Sequence, residues 1–195
     1  PLEPIMPVSM ELRREHRKLS LAIVVALDRS GSMAMPAAGG RTKMDLANLA
    51  TADVVDMLGP MDQFGCIAVD SMPHDIVPLT DVTQAESIRS KVLKIDSMGG
   101  GIFVYEALKA AARMVLPATA GTKHIILFAD AADSEEPGDY KALVEKLGKA
   151  GVTVSVVGLG TDRDCDSGLL KDIARRGGGQ CAFTNNAQEL PRLFA

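Results

Sequence analysis

Oxygen-bearing side chains follow an apolar stretch at a spacing that could hold a metal ion. Asp28, Ser30 and Ser32 alternate directly after the apolar run 21–27. In an extended loop, residues two apart point the same way, so these three side chains can face one centre. One carboxylate and two hydroxyls are hard oxygen donors, which suit Mg²⁺, Mn²⁺ or Ca²⁺ and not zinc or copper. The spacing therefore predicts a site for a hard divalent cation.

A second acidic residue ends another apolar run in the same manner. Asp130 directly follows the run 123–129. In open α/β sheets, ligands bind beyond the carboxyl ends of the strands, where the strand order reverses. A strand order of 3-2-1-4-5-6 would make the strands that end in Asp28 and Asp130 neighbours at that point. We therefore expect Asp130 to converge with Asp28, Ser30 and Ser32.

The elements that position these residues alternate along the chain between strands and helices. The apolar runs 21–27, 123–129 and 152–157 are typical of strands buried on both faces. Shorter strands are predicted over 64–69, 75–79 and 180–183, the first two forming a hairpin whose prolines favour a sheet edge. Amphipathic spacing predicts helices over 43–58, 82–95, 104–116, 138–150, 168–176 and 187–194. This order predicts a three-layer, doubly wound, Rossmann-like α/β fold around a mainly parallel six-stranded sheet with one antiparallel edge strand.

Length and charge exclude several functional classes. The 195 residues are 47% hydrophobic, which suits one globular domain. We expect an extended, proline-rich segment over 1–20, then a domain over 21–195. The net charge of −4 argues against nucleic-acid binding. A complete dinucleotide or phosphate-loop motif is missing, so nucleotide binding is not expected, and no apolar stretch is long enough to span a membrane.

Four segments of the sequence resemble von Willebrand factor type A domains. LAIVVALDRSGSM (21–33) resembles the first strand and metal loop of that family, and IILFAD (125–130) a later strand that ends in an Asp. MDQFGCIAVDSMPHDIVPLT (61–80) resembles the central hairpin. MGGGIFVYEALKAA (98–111) resembles the glycine-rich loop and the helix after it. The resemblance runs from about residue 21 to the end.

The resemblance implies a metal-ion-dependent adhesion site. Ser30 and Ser32 would bind Mg²⁺ or Mn²⁺ directly, with Ca²⁺ as the other hard cation, and Asp28 and Asp130 would reach it largely through water. The remaining coordination position would be open to an Asp or Glu of a protein partner. Neutral direct ligands leave the charge of the cation poorly compensated, so it still attracts a carboxylate. The implied function is non-catalytic protein–protein interaction.

One departure from the family pattern leaves alternatives open. The family usually places a Thr after the glycines as a further direct ligand, and this chain has Ile102 there. Either water fills that position or the domain is a metal-independent adaptor. A Mg²⁺-dependent hydrolase or phosphotransferase is the enzymatic alternative, since some phosphotransferases end a first strand in a nucleophilic Asp. Those enzymes need a second acid two residues later, and that position is Ser30.

Other polar groups have simpler interpretations. Asp133, Glu135, Glu136 and Asp139 form an acidic segment that we interpret as a solvated surface, with a partner-selecting rim or a second weak cation site as the alternative. His74 with Asp75 could suggest a catalytic dyad, but a polar turn is the favoured interpretation. Cys66, Cys165 and Cys181 lack metal-ligand spacing, and we interpret Cys66 and Cys181 as small buried residues.

The segment GGGIFVYEAL (99–108) most resembles type A domains of large bacterial membrane-anchored proteins. Some of those proteins also carry a glutamine-amidotransferase-like region. This resemblance implies that the chain is a fragment of a larger protein and a domain of extracytoplasmic location.

Overall fold

Six strands form one sheet at the centre of the molecule. The structure, a computed structural model, describes residues 20–101, 104–130, 138–160 and 167–185. The strands are β1 (Leu21–Asp28), β2 (Gln63–Val69), β3 (Pro73–Asp81), β4 (Thr122–Ala129), β5 (Val152–Leu159) and β6 (Gly178–Thr184), in the order β3-β2-β1-β4-β5-β6. β2 and β3 pair antiparallel, and every other adjacent pair is parallel. The predicted sheet with one antiparallel edge strand is confirmed.

Helices cover both faces of this sheet. They are α1 (Lys43–Met57), α2 (Ala85–Val92), α3 (Val104–Val115), α4 (Tyr140–Lys149) and α5 (Ser167–Arg176). α3, α4 and α5 pack on one face, while α1 and α2 pack on the other. The result is the predicted three-layer α/β arrangement.

Alternate residues of β1 serve two separate cores, which explains why its apolar run is continuous. Val24 and Ala26 belong to the core beneath α3, α4 and α5, and Val25 and Leu27 belong to the core beneath α1 and α2. Leu27 is fully buried, and removing a side chain of that size from such a core destabilises a protein by about 2–5 kcal/mol. The strand that ends in Asp28 is therefore packed tightly on both faces.

Two elements differ most in length from their sequence prediction. β3 spans Pro73–Asp81 and not only 75–79, because an edge strand tolerates prolines on its unpaired side. α2 spans only Ala85–Val92 within the predicted helix 82–95, since Val82 still donates its backbone N–H to the Asp62 carbonyl. The predicted helix 187–194 lies outside the described residues.

Candidate metal centre

The strand order brings the four predicted ligands together. β1 and β4 are parallel neighbours with Leu27 opposite Phe128, so Asp28 and Asp130 follow at the same end of the sheet, offset by one residue. Ser32 Oγ donates to Asp130 Oδ1 at 3.0 Å, and Ser30 Oγ lies 3.0 Å from Ser32 Oγ. The Ser30 backbone N–H donates to Asp28 Oδ1 at 2.8 Å. The convergence expected from the strand order is therefore present.

Backbone hydrogen bonds from two directions fix the loop that carries the serines. Arg29 N donates to the carbonyl of Val69 at the end of β2, at 2.9 Å. From the glycine-rich segment, Met98 N donates to Arg29 O at 3.0 Å, and Gly100 O accepts from Gly31 N at 3.3 Å. Gly100 has a φ of +88°, which favours glycine. The hydroxyls are thus presented by a supported loop, which turns through a short 3-10 helix over Gly31–Ala34.

The two carboxylates of the cluster are almost completely buried. Asp28 is 1% exposed and Asp130 is fully buried. Within the part of the chain that the structure describes, Asp28 Oδ2 has no hydrogen-bond partner. Burial raises the pKa of Asp28 to about 7; hydrogen bonds from Ser30 offset part of that rise, and the charge of Asp130 adds to it. A buried, unpartnered carboxylate oxygen needs an explanation, and a cation or its bound water supplies one.

A lysine completes the cluster, and the sequence prediction missed it. Lys43 is 8% exposed, and its Nζ donates to Asp130 Oδ2 at 2.8 Å. It is the first residue of α1, whose start is fixed by a capping box: Asp45 N donates to Thr42 Oγ1, and Thr42 N donates to Asp45 Oδ2. A signal existed in the sequence, since a cation in the first turn of a helix opposes the helix dipole.

The donor set and its spacing fit a hard divalent cation. Neighbouring ligands of an octahedral Mg²⁺, each bound at about 2.0–2.1 Å, lie about 3 Å apart. The hydroxyls of Ser30 and Ser32, the two predicted direct ligands, lie 3.0 Å apart. Across the described ranges, no three His, Cys, Asp or Glu side chains cluster, so the set here is rich in hydroxyls. Ile102, at the position of the family's Thr, lies outside the described residues.

A second carboxylate cluster lies on the other side of the same loop. Arg29 donates from Nε and Nη2 to Asp70 Oδ2, at 2.8 and 2.6 Å. Asp70 Oδ1 accepts from the Met72 backbone at 3.1 Å and lies 3.2 Å from His74 Nε2. Partial burial raises the pKa of Asp70, but these hydrogen bonds outweigh it and lower the pKa to about 2. His74 and Asp75 lie in β3 and not in the polar turn that the sequence predicts, and His74 contacts Asp70, which precedes the strand.

Exposed methionines surround the loop. Met35, Met72 and Met98 are 55%, 60% and 66% exposed. Each donates its backbone N–H to one residue of the two clusters: Met35 to Ser32 O, Met72 to Asp70 Oδ1 and Met98 to Arg29 O. The polar centre thus lies among flexible apolar side chains.

The remaining predicted groups lie away from the cluster or outside the described residues. Asp139 accepts from Ala142 N and caps α4, whereas Asp133, Glu135 and Glu136 fall in an undescribed segment, as does Cys165. Cys66 is buried, which raises the pKa of its thiol, and Cys181 is half-buried. Of the described helices, none combines the length and apolar character needed to cross a membrane.

Comparisons with known proteins agree with this architecture. A family model described as von Willebrand factor type A domain matches residues 22–195. No curated protein matches the chain.

Solved structures with the same fold come from bacteria and from a mussel. A von Willebrand factor type A protein from Catenulispora acidiphila has a TM-score of 0.77 at 25% identity, covering 89% of this chain and 40% of that one. An aerotolerance-related membrane protein from Bacteroides fragilis, carrying multiple mutations to serine, has a TM-score of 0.74 at 19% identity, covering 90% and 97%. Proximal thread matrix protein 1 from the mussel byssus, with a zinc-occupied MIDAS motif, has a TM-score of 0.74 at 20% identity, covering 89% and 44%.

Proposed function

This chain belongs to the von Willebrand factor type A domain family, and we propose that it is a non-catalytic module that binds an acidic residue of a protein partner through a divalent cation. The observation that carries the proposal is the chain of 3.0 Å contacts from Ser30 Oγ through Ser32 Oγ to Asp130 Oδ1, beside Asp28 Oδ2, which has no partner among the described residues. These atoms come from two strand ends and form one cradle of hard oxygen donors.

Each residue has a distinct part in the proposed site. Ser30 and Ser32 hold Mg²⁺ or Mn²⁺ through their hydroxyls, and Asp28 and Asp130 orient water bound to it. When bound, the cation supplies a positive charge and an open position for a carboxylate. The zinc-occupied MIDAS motif of the mussel protein is a precedent for metal at this place in the fold. Since Asp28 has a pKa raised to about 7, cation binding would release protons at neutral pH.

The surroundings of the cradle support a role in binding proteins. Exposed apolar side chains around a polar centre are typical of interaction sites, and methionine adapts its shape to a partner surface. Met35, Met72 and Met98 meet both descriptions. The same loops could therefore bury apolar surface of a partner around its acidic residue.

Two alternatives remain distinct from this proposal. A metal-independent adaptor is favoured by one observation, the ammonium of Lys43 that already pairs with Asp130. A Mg²⁺-dependent hydrolase or phosphotransferase is disfavoured, because Ser30 occupies the position where a second acid would be needed.

The likeness to a bacterial membrane protein supports the proposal that the parent protein is membrane-anchored. We propose that it presents this domain outside the cytoplasm.

Relaxation of water protons by bound Mn²⁺ tests the proposed function. Free Mn²⁺ and Mn²⁺ with the protein are compared, and acetate is then added as a minimal partner carboxylate, with acetamide as its neutral control. We expect the protein to enhance relaxation, and acetate but not acetamide to reduce the enhancement as it displaces bound water. S30A/S32A should abolish the enhancement. Enhancement that survives in S30A/S32A would place Mn²⁺ elsewhere, and no enhancement in the parent protein would favour the metal-independent adaptor.

A phosphatase assay separates the enzyme from the binding module. The parent protein and D28N are incubated with a generic phosphate ester and Mg²⁺. We expect no turnover above background from either protein. Turnover by the parent protein that D28N loses would overturn the non-catalytic proposal.

A further inference from the structure

Lys43 occupies a position that two physical effects disfavour. Its ammonium is largely withdrawn from water, with the side chain only 10% exposed, and burial of a charge is unfavourable unless it is paired. Lys43 is also the first residue of α1, where the positive end of the helix dipole repels a cation. A neutral side chain there would suit the helix better, which points to a role for the charge in the cluster.

The ammonium and the cation cradle share one carboxylate. Asp130 accepts from Lys43 through Oδ2 at 2.8 Å and from Ser32 through Oδ1 at 3.0 Å. The capping box of α1 and the hydrogen bond from Lys43 N to Met35 O hold the backbone of Lys43 in place. The two oxygens of Asp130 therefore contact Ser32 and Lys43 respectively. A cation held by the serines would lie within a few ångströms of the same carboxylate as the Lys43 ammonium.

The ammonium of Lys43 changes the net charge of the cluster, both with and without a bound cation. The two carboxylates of Asp28 and Asp130, when ionised, and the ammonium of Lys43 leave one negative charge in the cluster. A divalent cation turns that into one positive charge, whereas without Lys43 the loaded cluster would be neutral. Like charges at such short range repel strongly where water is excluded. The ammonium therefore opposes metal binding and, once metal is bound, favours an incoming anion.

We propose that Lys43 is a specificity-determining residue of the cation site: it lowers the affinity for the metal and raises the affinity of the metal-loaded site for a partner's carboxylate. This inference rests on the proposed function and deepens it, since the site becomes one that holds metal weakly until an acidic partner arrives. Such a partner adds the negative charge that the loaded cluster lacks, so metal and partner bind cooperatively.

Replacement of the ammonium tests this role. K43M removes the charge and keeps an unbranched chain of similar length, K43R keeps the charge, and K149M removes a charge from the last turn of α4, at the opposite end of the sheet. Mn²⁺ affinity is measured by calorimetry, and the displacement of Mn²⁺-bound water by acetate is measured by proton relaxation. We expect K43M to bind Mn²⁺ at least tenfold more tightly and its loaded form to bind acetate at least threefold more weakly. K149M should stay within about twofold of the parent protein on both measurements, and K43R, which keeps the charge, should bind Mn²⁺ more weakly than K43M.

The outcomes distinguish this inference from the proposed function. If the parent protein and K43M bind Mn²⁺ equally, or K43M binds it more weakly, the role of Lys43 is wrong and the cation site stands. If only K43M binds Mn²⁺, the ammonium blocks the metal altogether, so the metal-dependent function of the parent protein is wrong and the inference that rests on it is wrong as well. If neither binds, both are wrong. Should K43M fail to fold, K43Q removes the same charge and keeps an N–H donor for Asp130.

Discussion

Two carboxylate clusters share the segment that follows β1, and they differ in how completely their charges are satisfied. On one side, Asp70 receives two hydrogen bonds from Arg29 and others from Met72 and His74, and its pKa is lowered to about 2. On the other side, Asp28 is more deeply buried, has a pKa raised to about 7, and keeps one oxygen that no described residue contacts by a hydrogen bond.

This difference teaches how one loop can serve both structure and binding. Alternate side chains of the loop point to opposite sides, so Arg29 reaches Asp70 while Ser30 and Ser32 turn to the cradle. The Asp70 cluster is complete within the protein and ties the loop to β2 and β3. In the Asp28 cluster, one carboxylate oxygen has no partner among the described residues, which is the property expected of the proposed site.

The largest effect should follow from breaking the buried pair in the cradle. D130N neutralises the partner of Lys43 and leaves its ammonium buried without a counter-charge. Loss of one partner of a buried ion pair destabilises a protein by about 3–5 kcal/mol. Urea denaturation in EDTA should show a loss of this size. A loss below about 1 kcal/mol would mean that Lys43 reaches water easily and that the cradle is less enclosed than the 8% exposure of Lys43 indicates.

An intermediate effect, of opposite sign in the two clusters, should appear as a pH dependence in EDTA. The folded-state pKa of Asp28, about 7, lies above the unfolded value of 3.8, so the native state holds a proton that the unfolded state has released. The contribution of Asp28 to the free energy of unfolding is fully present below about pH 4. It is lost as the pH rises to about 7, by up to roughly 4 kcal/mol. Denaturation of D28N should lack this fall, so that D28N is more stable than the parent protein at pH 8. Equal slopes for the two proteins between pH 4 and 7 would contradict the raised pKa.

Asp70 should show the reverse behaviour. Its pKa is lowered to about 2, so its stabilisation is present above about pH 4 and is lost as pH falls towards 2. D70N should therefore flatten the acid limb of the same curve and leave the region from pH 5 to 7 unchanged. If D70N altered that neutral region instead, the two clusters would not be independent.

The smallest effect should come from the structural cluster. R29M removes the two donors to Asp70 and keeps an apolar chain over the loop. Hydrogen bonds to a charged group of this kind stabilise a protein by about 1–3 kcal/mol, and partial exposure of the pair, 15% and 14%, favours the low end. Calorimetry on R29M should give a Mn²⁺ affinity within about threefold of the parent protein. A loss of Mn²⁺ binding would show that the Asp70 cluster is part of the site.

Most of the fold and four of the five residues of the cluster could be predicted from the sequence, because they depend mainly on local patterns. The apolar run before Asp28 predicts a strand buried on both faces. The alternation of Asp28, Ser30 and Ser32 predicts that their side chains point in the same direction. Asp130 needed one further rule, that parallel strand ends meet where the strand order reverses. Each of these signals is contained in a few consecutive residues.

The missed residues pair over long distances without a local pattern. Lys43 meets Asp130 across 87 positions, and Arg29 meets Asp70 across 41. Both contacts depend on where a helix start or a hairpin end settles in three dimensions, which spacing along the chain does not encode. The length of α2 was overestimated for the same reason, because the backbone bond between Val82 and Asp62 overrides the helical pattern.

Crystals of the Mn²⁺-saturated protein, with anomalous scattering measured at the manganese edge, test the cradle most directly. We predict one anomalous peak at bonding distance from both Ser30 Oγ and Ser32 Oγ, with Asp28 and Asp130 behind it and Lys43 still on Asp130. An ion bound elsewhere, or serines that keep their hydrogen-bond chain to Asp130 in crystals saturated with Mn²⁺, would contradict a cation site at the ends of β1 and β4.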